Sequence, residues 1–174
     1  MADMDILKAR IRHVPDFPKA GILFYDITTL LREPSGFRLA IDSLVLPYAG
    51  RAIDLVVGIE SRGFILGAAV ADRLGTGFTP IRKPGKLPAK TFKESFELEY
   101  GSDVLEMHED AIQPGQRVLV VDDVLATGGT AAAASTLVRR CGGDLVGLAF
   151  LIELVTLNGR SKLGTDPVHT VLKY

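Results

Sequence analysis

The chain has 174 residues, 47% of them hydrophobic and 24% charged, with a formal net charge of −1; that is the size and balance of one globular domain able to bury a substantial core. A lone cysteine, Cys141, excludes an internal disulfide and suits a reducing compartment, and the near-neutral charge argues against broad contact with a nucleic-acid backbone. The opening residues carry no apolar core of a secretory signal and no apolar run approaches the ~20 residues that span a bilayer, so a cytoplasmic protein without membrane contact is expected.

Residues 5–12 predict a short helix, closed by Pro15 and Pro18 in an extended segment. Ser35 reads as the N-cap of a helix through Leu46, with Leu39, Leu44 and Val45 available for burial and Pro47 beyond it. Residues 54–59 (Asp-Leu-Val-Val-Gly-Ile) form the first apolar strand, and the Gly- and Ala-rich stretch 64–74 a helix able to lie close to a sheet. A strand over 77–82 follows. Residues 83–106 then break the rhythm: Phe96, Leu98 and Tyr100 alternate with Glu97 and Glu99, which predicts a pair of exposed antiparallel strands. Their approach carries Arg82, Lys83, Lys86, Lys90 and Lys93, and a basic insertion between core strands reads as a flexible lid. Strands over 117–122, 145–152 and 169–172 and a helix over 131–140 complete the chain. Strands separated by helices imply an α/β fold with a mostly parallel, doubly wound sheet, and neither repeat nor linker interrupts it. Cys141, on the helix face of Ala134, Leu137 and Val138, reads as a small core residue. His13, His108 and His169 lack metal-ligand spacing.

Residues 118–130 carry the chemistry. The apolar run Val118-Leu119-Val120-Val121 ends in Asp122 and Asp123, where ligands of parallel sheets collect. Two carboxylates there can accept hydrogen bonds from a vicinal diol or hold a hydrated divalent cation. The loop Ala126-Thr127-Gly128-Gly129-Thr130 turns inward amides and a helix start toward an anion. A diol beside a phosphate spells ribose 5-phosphate. No Lys follows the glycines, which excludes a Walker loop, and no G-x-G-x-x-G opens a helix, which excludes a dinucleotide fingerprint.

The stretch 120–130 resembles the phosphoribosyl-pyrophosphate (PRPP) motif of the type I phosphoribosyltransferases. Phe17-Pro18-Lys19-Ala20-Gly21-Ile22-Leu23-Phe24-Tyr25-Asp26-Ile27, Glu60-Ser61-Arg62-Gly63-Phe64, Ile81-Arg82-Lys83-Pro84-Gly85-Lys86-Leu87-Pro88 and Leu98-Glu99-Tyr100-Gly101 resemble, in the same order, the adenine-specific branch of that family. The resemblance spans nearly the whole chain. It implies the type I fold as a single domain over 1–174, with residues 1–34 contributing a small base-binding hood and 83–106 the flexible lid.

The resemblance also implies roles. Asp122 and Asp123 are expected at the ribose hydroxyls, and Ala126, Thr127, Gly128, Gly129 and Thr130 at the 5-phosphate. Ser61, Arg62, Arg82 and Lys86 are expected at pyrophosphate, where Arg offers a bidentate fork. A non-prolyl cis peptide is frequent at this loop in the family, and Glu60–Ser61 is the candidate bond. Arg62 and Glu99 are the catalytic candidates, Glu99 as general acid/base for a purine that must lose a ring proton. Tyr100 would help to seal the lid. Leu23, Phe24 and Tyr25 would bind adenine, with Phe24 stacking on the base; Tyr25 stands where Arg is frequent, which leaves recognition to Phe24 and the backbone. Mg²⁺ is the implied cofactor, held mainly through PRPP and also by Asp122 and Asp123. A homodimer without nucleic-acid partners is expected. The alternatives are the same transfer to xanthine, hypoxanthine or guanine, or a PRPP-sensing, nucleic-acid-binding regulator, which would need a helix-turn-helix or basic face.

Overall fold

A computed structural model describes residues 2–97 and 101–174. The chain divides into two compact units, residues 1–43 and 44–174.

In the first unit, helix α1 (Ala2–Ala9) has Asp3 and Asp5 in its first turn and Lys8 in its last, charges that suit the helix dipole. The helix stops short of the expected 5–12 because the chain there is needed for pairing. Strand β1 (Arg12–Pro15) runs antiparallel to β2 (Leu23–Asp26), with Val14 opposite Phe24 and His13 opposite Tyr25. The segment expected to be merely extended is therefore a hairpin, and the Phe17–Pro18 peptide in its connection is cis. Asp26 locks its base: Arg12 Nε donates to Asp26 Oδ2 at 3.0 Å and the Thr28 amide to Asp26 Oδ1 at 2.9 Å. Led by the Arg12 guanidinium, these donors hold the Asp26 carboxyl down at about 2. The short helix α2 (Thr28–Leu31) and helix α3 (Pro34–Val45) follow. Ser35 lies inside α3 and does not cap it; its hydroxyl accepts from Arg10 at 3.2 Å.

The second unit is built on a five-stranded sheet. Its elements are β3 (Leu55–Ile59), helix α4 (Arg62–Leu74), β4 (Gly77–Ile81), β5 (Thr91–Glu97), β6 (Ser102–His108), β7 (Arg117–Leu125), helix α5 (Gly129–Arg140), β8 (Asp144–Glu153) and β9 (Val168–Lys173). The sheet order is β4-β3-β7-β8-β9 and every pairing is parallel. All of β3 is buried, as are Val118 to Val121 of β7 and Leu148 to Ile152 of β8, which explains their unbroken apolar runs. After β3 the chain moves outward to β4, and after β7 it moves the other way to β8 and β9. The carboxyl ends of β3 and β7 thus flank the point where the winding reverses, the place where such sheets bind ligands.

Strands β5 and β6 form the antiparallel pair read from the alternation. The expectation that they are exposed does not hold. Leu105 and Met107 are fully buried and Phe92 and Phe96 pack on the core. The Arg140 guanidinium of α5 sits 5.0 Å over the Phe92 ring and donates to the Lys93 carbonyl at 2.7 Å. Reciprocal backbone bonds between Arg82 and Glu106, 2.9 and 2.8 Å, join the pair to the chain leaving β4. The alternating pattern registered one apolar face but not the helix that would cover it.

Candidate active site

Beyond β7 the chain enters the loop 126–128 and then α5. The loop residues Ala126, Thr127 and Gly128, with Thr130, Asp122 and Phe150, line a concave pocket. Gly128 caps α5 with φ +80°, a conformation that side-chain-bearing residues rarely adopt. The first-turn amides of a helix lack intrahelical acceptors, so this end of α5 presents N–H donors and the positive end of its dipole. A Cβ on Gly128 would sit 2.2 Å from the Gly159 carbonyl oxygen, and one on Gly159 would sit 2.2 Å from the Ala126 oxygen. The loop is thus seated backbone against backbone, with space for a hydrogen atom on each α-carbon and for nothing larger.

Strand β7 runs through Leu125, three residues past the expected end, so both acids lie within it. Successive side chains of a strand point to opposite faces. Asp122 lines the pocket, and its Oδ1 accepts from the Asp123 amide at 2.8 Å. Burial, reinforced by the neighbouring Asp123, pushes the Asp122 carboxyl well above the usual carboxylate range. Asp123 does not line the pocket but forms an ion pair with Arg62, the first residue of α4. The helix can come this close because Gly63 follows: a Cβ there would lie 2.8 Å from Asp122 Oδ1 and 2.9 Å from the Val121 oxygen.

The turn after β3 contains Glu60 and Ser61, joined by a cis peptide bond. Ser61 is exposed at the start of α4. Glu60 gathers the cations of the neighbouring loop. Its Oε2 accepts from Arg82 Nε at 3.3 Å and from the Lys83 amide at 3.0 Å, and its Oε1 pairs with Lys86. Burial pushes this carboxyl up, but the donors from Lys86, Lys83 and Arg82 outweigh it and hold it at about 2. The Lys83 ammonium pairs with Asp103 and lies 5.8 Å from the Phe96 ring centroid. Two loops at the carboxyl edge of one sheet therefore handle charge differently, one with backbone amides and the other with side-chain cations.

The family described as "Phosphoribosyl transferase domain" matches residues 38–166. An adenine phosphoribosyltransferase of Koribacter versatilis is 59% identical over 170 residues, 98% of this chain and 93% of its own. One from Thermosynechococcus vestitus is 58% identical over 168 residues, covering 97% and 99%. The chain belongs to the adenine phosphoribosyltransferases. The crystal structure of the Rhodothermus marinus adenine phosphoribosyltransferase superposes with a TM-score of 0.96 at 57% identity, covering 99% of each chain. The Saccharomyces cerevisiae enzyme, solved with adenine and an imino-altritol bisphosphate, superposes with a TM-score of 0.93 at 44% identity, covering 98% of this chain and 99% of that one. These matches bear out the type I fold and the family read from the motifs.

Of the phosphoribosyltransferase residues expected from sequence, the structure gathers Asp122, Ala126, Thr127, Gly128 and Thr130 around one pocket. Gly129 begins α5 beside them, with the Phe96 ring 3.0 Å from where its Cβ would be. Arg62 meets Asp123, while Arg82 and Lys86 meet Glu60. Leu23, Phe24 and Tyr25 lie together on β2, where Leu23 is exposed, Phe24 lies edge-on to Phe17 at 5.1 Å and Tyr25 edge-on to His13 at 5.0 Å. Glu99 and Tyr100 lie outside the described residues. Sequence reading overlooked the Glu60 side chain and the seat provided by Gly159. The acid beside Ser61-Arg62 was a visible signal for the first. Nothing local marks the second.

Proposed function

We propose that this chain transfers the 5-phosphoribosyl group of PRPP to N9 of adenine, releasing pyrophosphate and giving AMP, a purine-salvage step. The observation that carries the reading is the pocket at the carboxyl end of β7, the strand beside the switch point, where a backbone anion cradle adjoins the Asp122 carboxyl. Full-length similarity to adenine phosphoribosyltransferases supports the choice of base.

The 5-phosphate would accept hydrogen bonds from the amides of 126–130 and from the Thr127 and Thr130 hydroxyls. Asp122 would hold the ribose hydroxyls, with Asp123 beside it. As the bond from C1′ to the pyrophosphate oxygen breaks, the electron pair leaves with pyrophosphate and positive charge spreads over the sugar ring. Ser61, Arg62, Arg82 and Lys86 would bind the leaving group, the last two by exchanging Glu60 for phosphate oxygens. Adenine N9 bonds to C1′ and Glu99 takes its proton. The purine would stack on Phe24, within the Leu23-Phe24-Tyr25 segment, and Tyr100 would close over the site.

Among the described residues no group of three or more His, Cys, Asp or Glu side chains assembles as a metal site. Asp122 lines the pocket while Asp123 is held by Arg62, so the chain offers one carboxylate directly and a second only on release of that ion pair, a donor set that fits Mg²⁺ carried mainly by the substrate's own oxygens. Bound that way, the ion would neutralise charge on the departing pyrophosphate. We further infer a homodimer acting in the cytoplasm, where Cys141 stays reduced; a monomer by sedimentation would refute the dimer.

Pyrophosphate release from PRPP and Mg²⁺, run against a panel of free bases, tests the reading. Release with adenine alone supports it. Release with guanine, hypoxanthine or xanthine instead would overturn the base assignment, and PRPP binding without release on any base would overturn the enzyme. Glu99→Ala should lower turnover by about 10²- to 10⁴-fold with PRPP binding preserved; unchanged turnover would remove Glu99 from the proton transfer.

A further inference from the structure

Behind the phosphate loop runs the segment 154–163, which leaves β8 after Glu153 and leads back to β9. Its Leu154 amide donates to the Leu125 carbonyl at 2.9 Å. Gly159 then meets the loop on both sides, its oxygen below Gly128 and its α-carbon below the Ala126 oxygen. A loop held by so close a backbone contact keeps its amide directions only while Gly159 stays in place.

The next residue fixes it. Arg160 grips Glu153 with both arms of its guanidinium, Nε to Oε1 at 2.6 Å and Nη2 to Oε2 at 2.9 Å. Nη2 also donates to Thr170 Oγ1 at 3.0 Å, and Nη1 to the Val168 carbonyl at 3.1 Å. The Thr170 hydroxyl in turn donates to Glu153 Oε2 at 2.7 Å. Glu153 is only 6% exposed, and a bidentate pair of this kind fixes orientation as well as distance. It ties the short turn carrying Gly159 to the end of β8 and the first half of β9. None of the three side chains lines the phosphate pocket.

We propose that Glu153, Arg160 and Thr170 are positioning residues: they clamp Gly159 beneath the loop 126–130 and so set its affinity for a sugar 5-phosphate. The proposal rests on reading that loop as the 5-phosphate site. A clamp that served stability alone would weaken every ligand together, whereas one that aims the loop amides weakens the ligand bound there.

The test is calorimetric titration of the full chain with ribose 5-phosphate and, separately, with Mg²⁺-pyrophosphate. It compares wild type with Arg160→Lys, which keeps the charge and loses the fork, and with Glu153→Gln. Gly159→Ala reaches the loop from below without touching the ion pair. Each variant should lose on the order of 10- to 100-fold in ribose 5-phosphate affinity with pyrophosphate affinity unchanged. In turnover the PRPP KM should rise while kcat holds. Equal weakening of both ligands, or unchanged ribose 5-phosphate affinity in a folded Arg160→Lys or Glu153→Gln variant, would overturn the clamp. Wild type that binds pyrophosphate but not ribose 5-phosphate would instead overturn the reading of the loop.

Discussion

The loop after β7 and the turn after β3 lie at the carboxyl edge of adjacent strands and solve one problem in opposite ways. The first carries no charged side chain between Ala126 and Thr130 and relies on amides whose directions are set by the contact with Gly159. The second is crowded by cations from the loop after β4, and its Glu60 holds Arg82, Lys86 and the Lys83 amide together. Backbone donors cost no reorganisation once the loop is packed. Charged side chains attract over a longer range but must let go of a partner before binding. The loop 126–130 is thus held as a fixed set of backbone donors and the Glu60 cluster as an exchangeable set of charges.

The sharpest way to break that contrast is Gly128→Ala. It forces a Cβ onto a residue at φ +80° and into the Gly159 oxygen. PRPP KM should rise on the order of 100-fold, and steady-state kinetics showing little change would mean that the loop yields. A middle-sized effect is expected of Asp122→Asn. An acid whose folded pKa is raised is fully stable only below its ordinary value and loses stability as pH climbs toward the raised one. Removing it should raise the melting temperature at neutral pH by about 3 °C, roughly 1 kcal/mol, and the gain should vanish near pH 3. Ribose 5-phosphate affinity should fall about ten-fold at the same time. The smallest effect belongs to the exchangeable side. Glu60→Gln frees Arg82 and Lys86, so pyrophosphate affinity should rise a few-fold, with a steeper salt dependence; a fall in affinity would show that Glu60 orients those cations for binding. Because the folded Glu60 carboxyl is held at about 2, its stabilisation is present above the ordinary Glu range and lost as pH falls toward 2. An acid melt should lose that component in the variant.

Much of this was legible in the residues. Apolar runs at 54–59, 117–122 and 145–152 marked the buried parallel strands because burial on both faces leaves no polar alternation to obscure them. The order of apolar strand, acids, Thr and Gly marked the strand, loop and helix start that line the pocket, since each residue type answers a local need. The hairpin of β1 and β2 was missed because its pairing joins Arg12 to Asp26 and Pro15 to Leu23 with weak local patterning on either strand. The covering of β5 and β6 was missed because alternation reports that one face is apolar and not what lies on it.

The sequence by itself determined the α/β class, the family and the make-up of the loop that follows β7, all of which depend on neighbours in the chain. Only the tertiary structure decided the partners. It sent Asp122 into the pocket and Asp123 to Arg62, although the two are adjacent in sequence. It also joined Glu60 to Lys86, Glu153 to Arg160 and Gly128 to Gly159. Such pairings are set by which strand ends the sheet order brings together, and no local pattern of residue types encodes that distance.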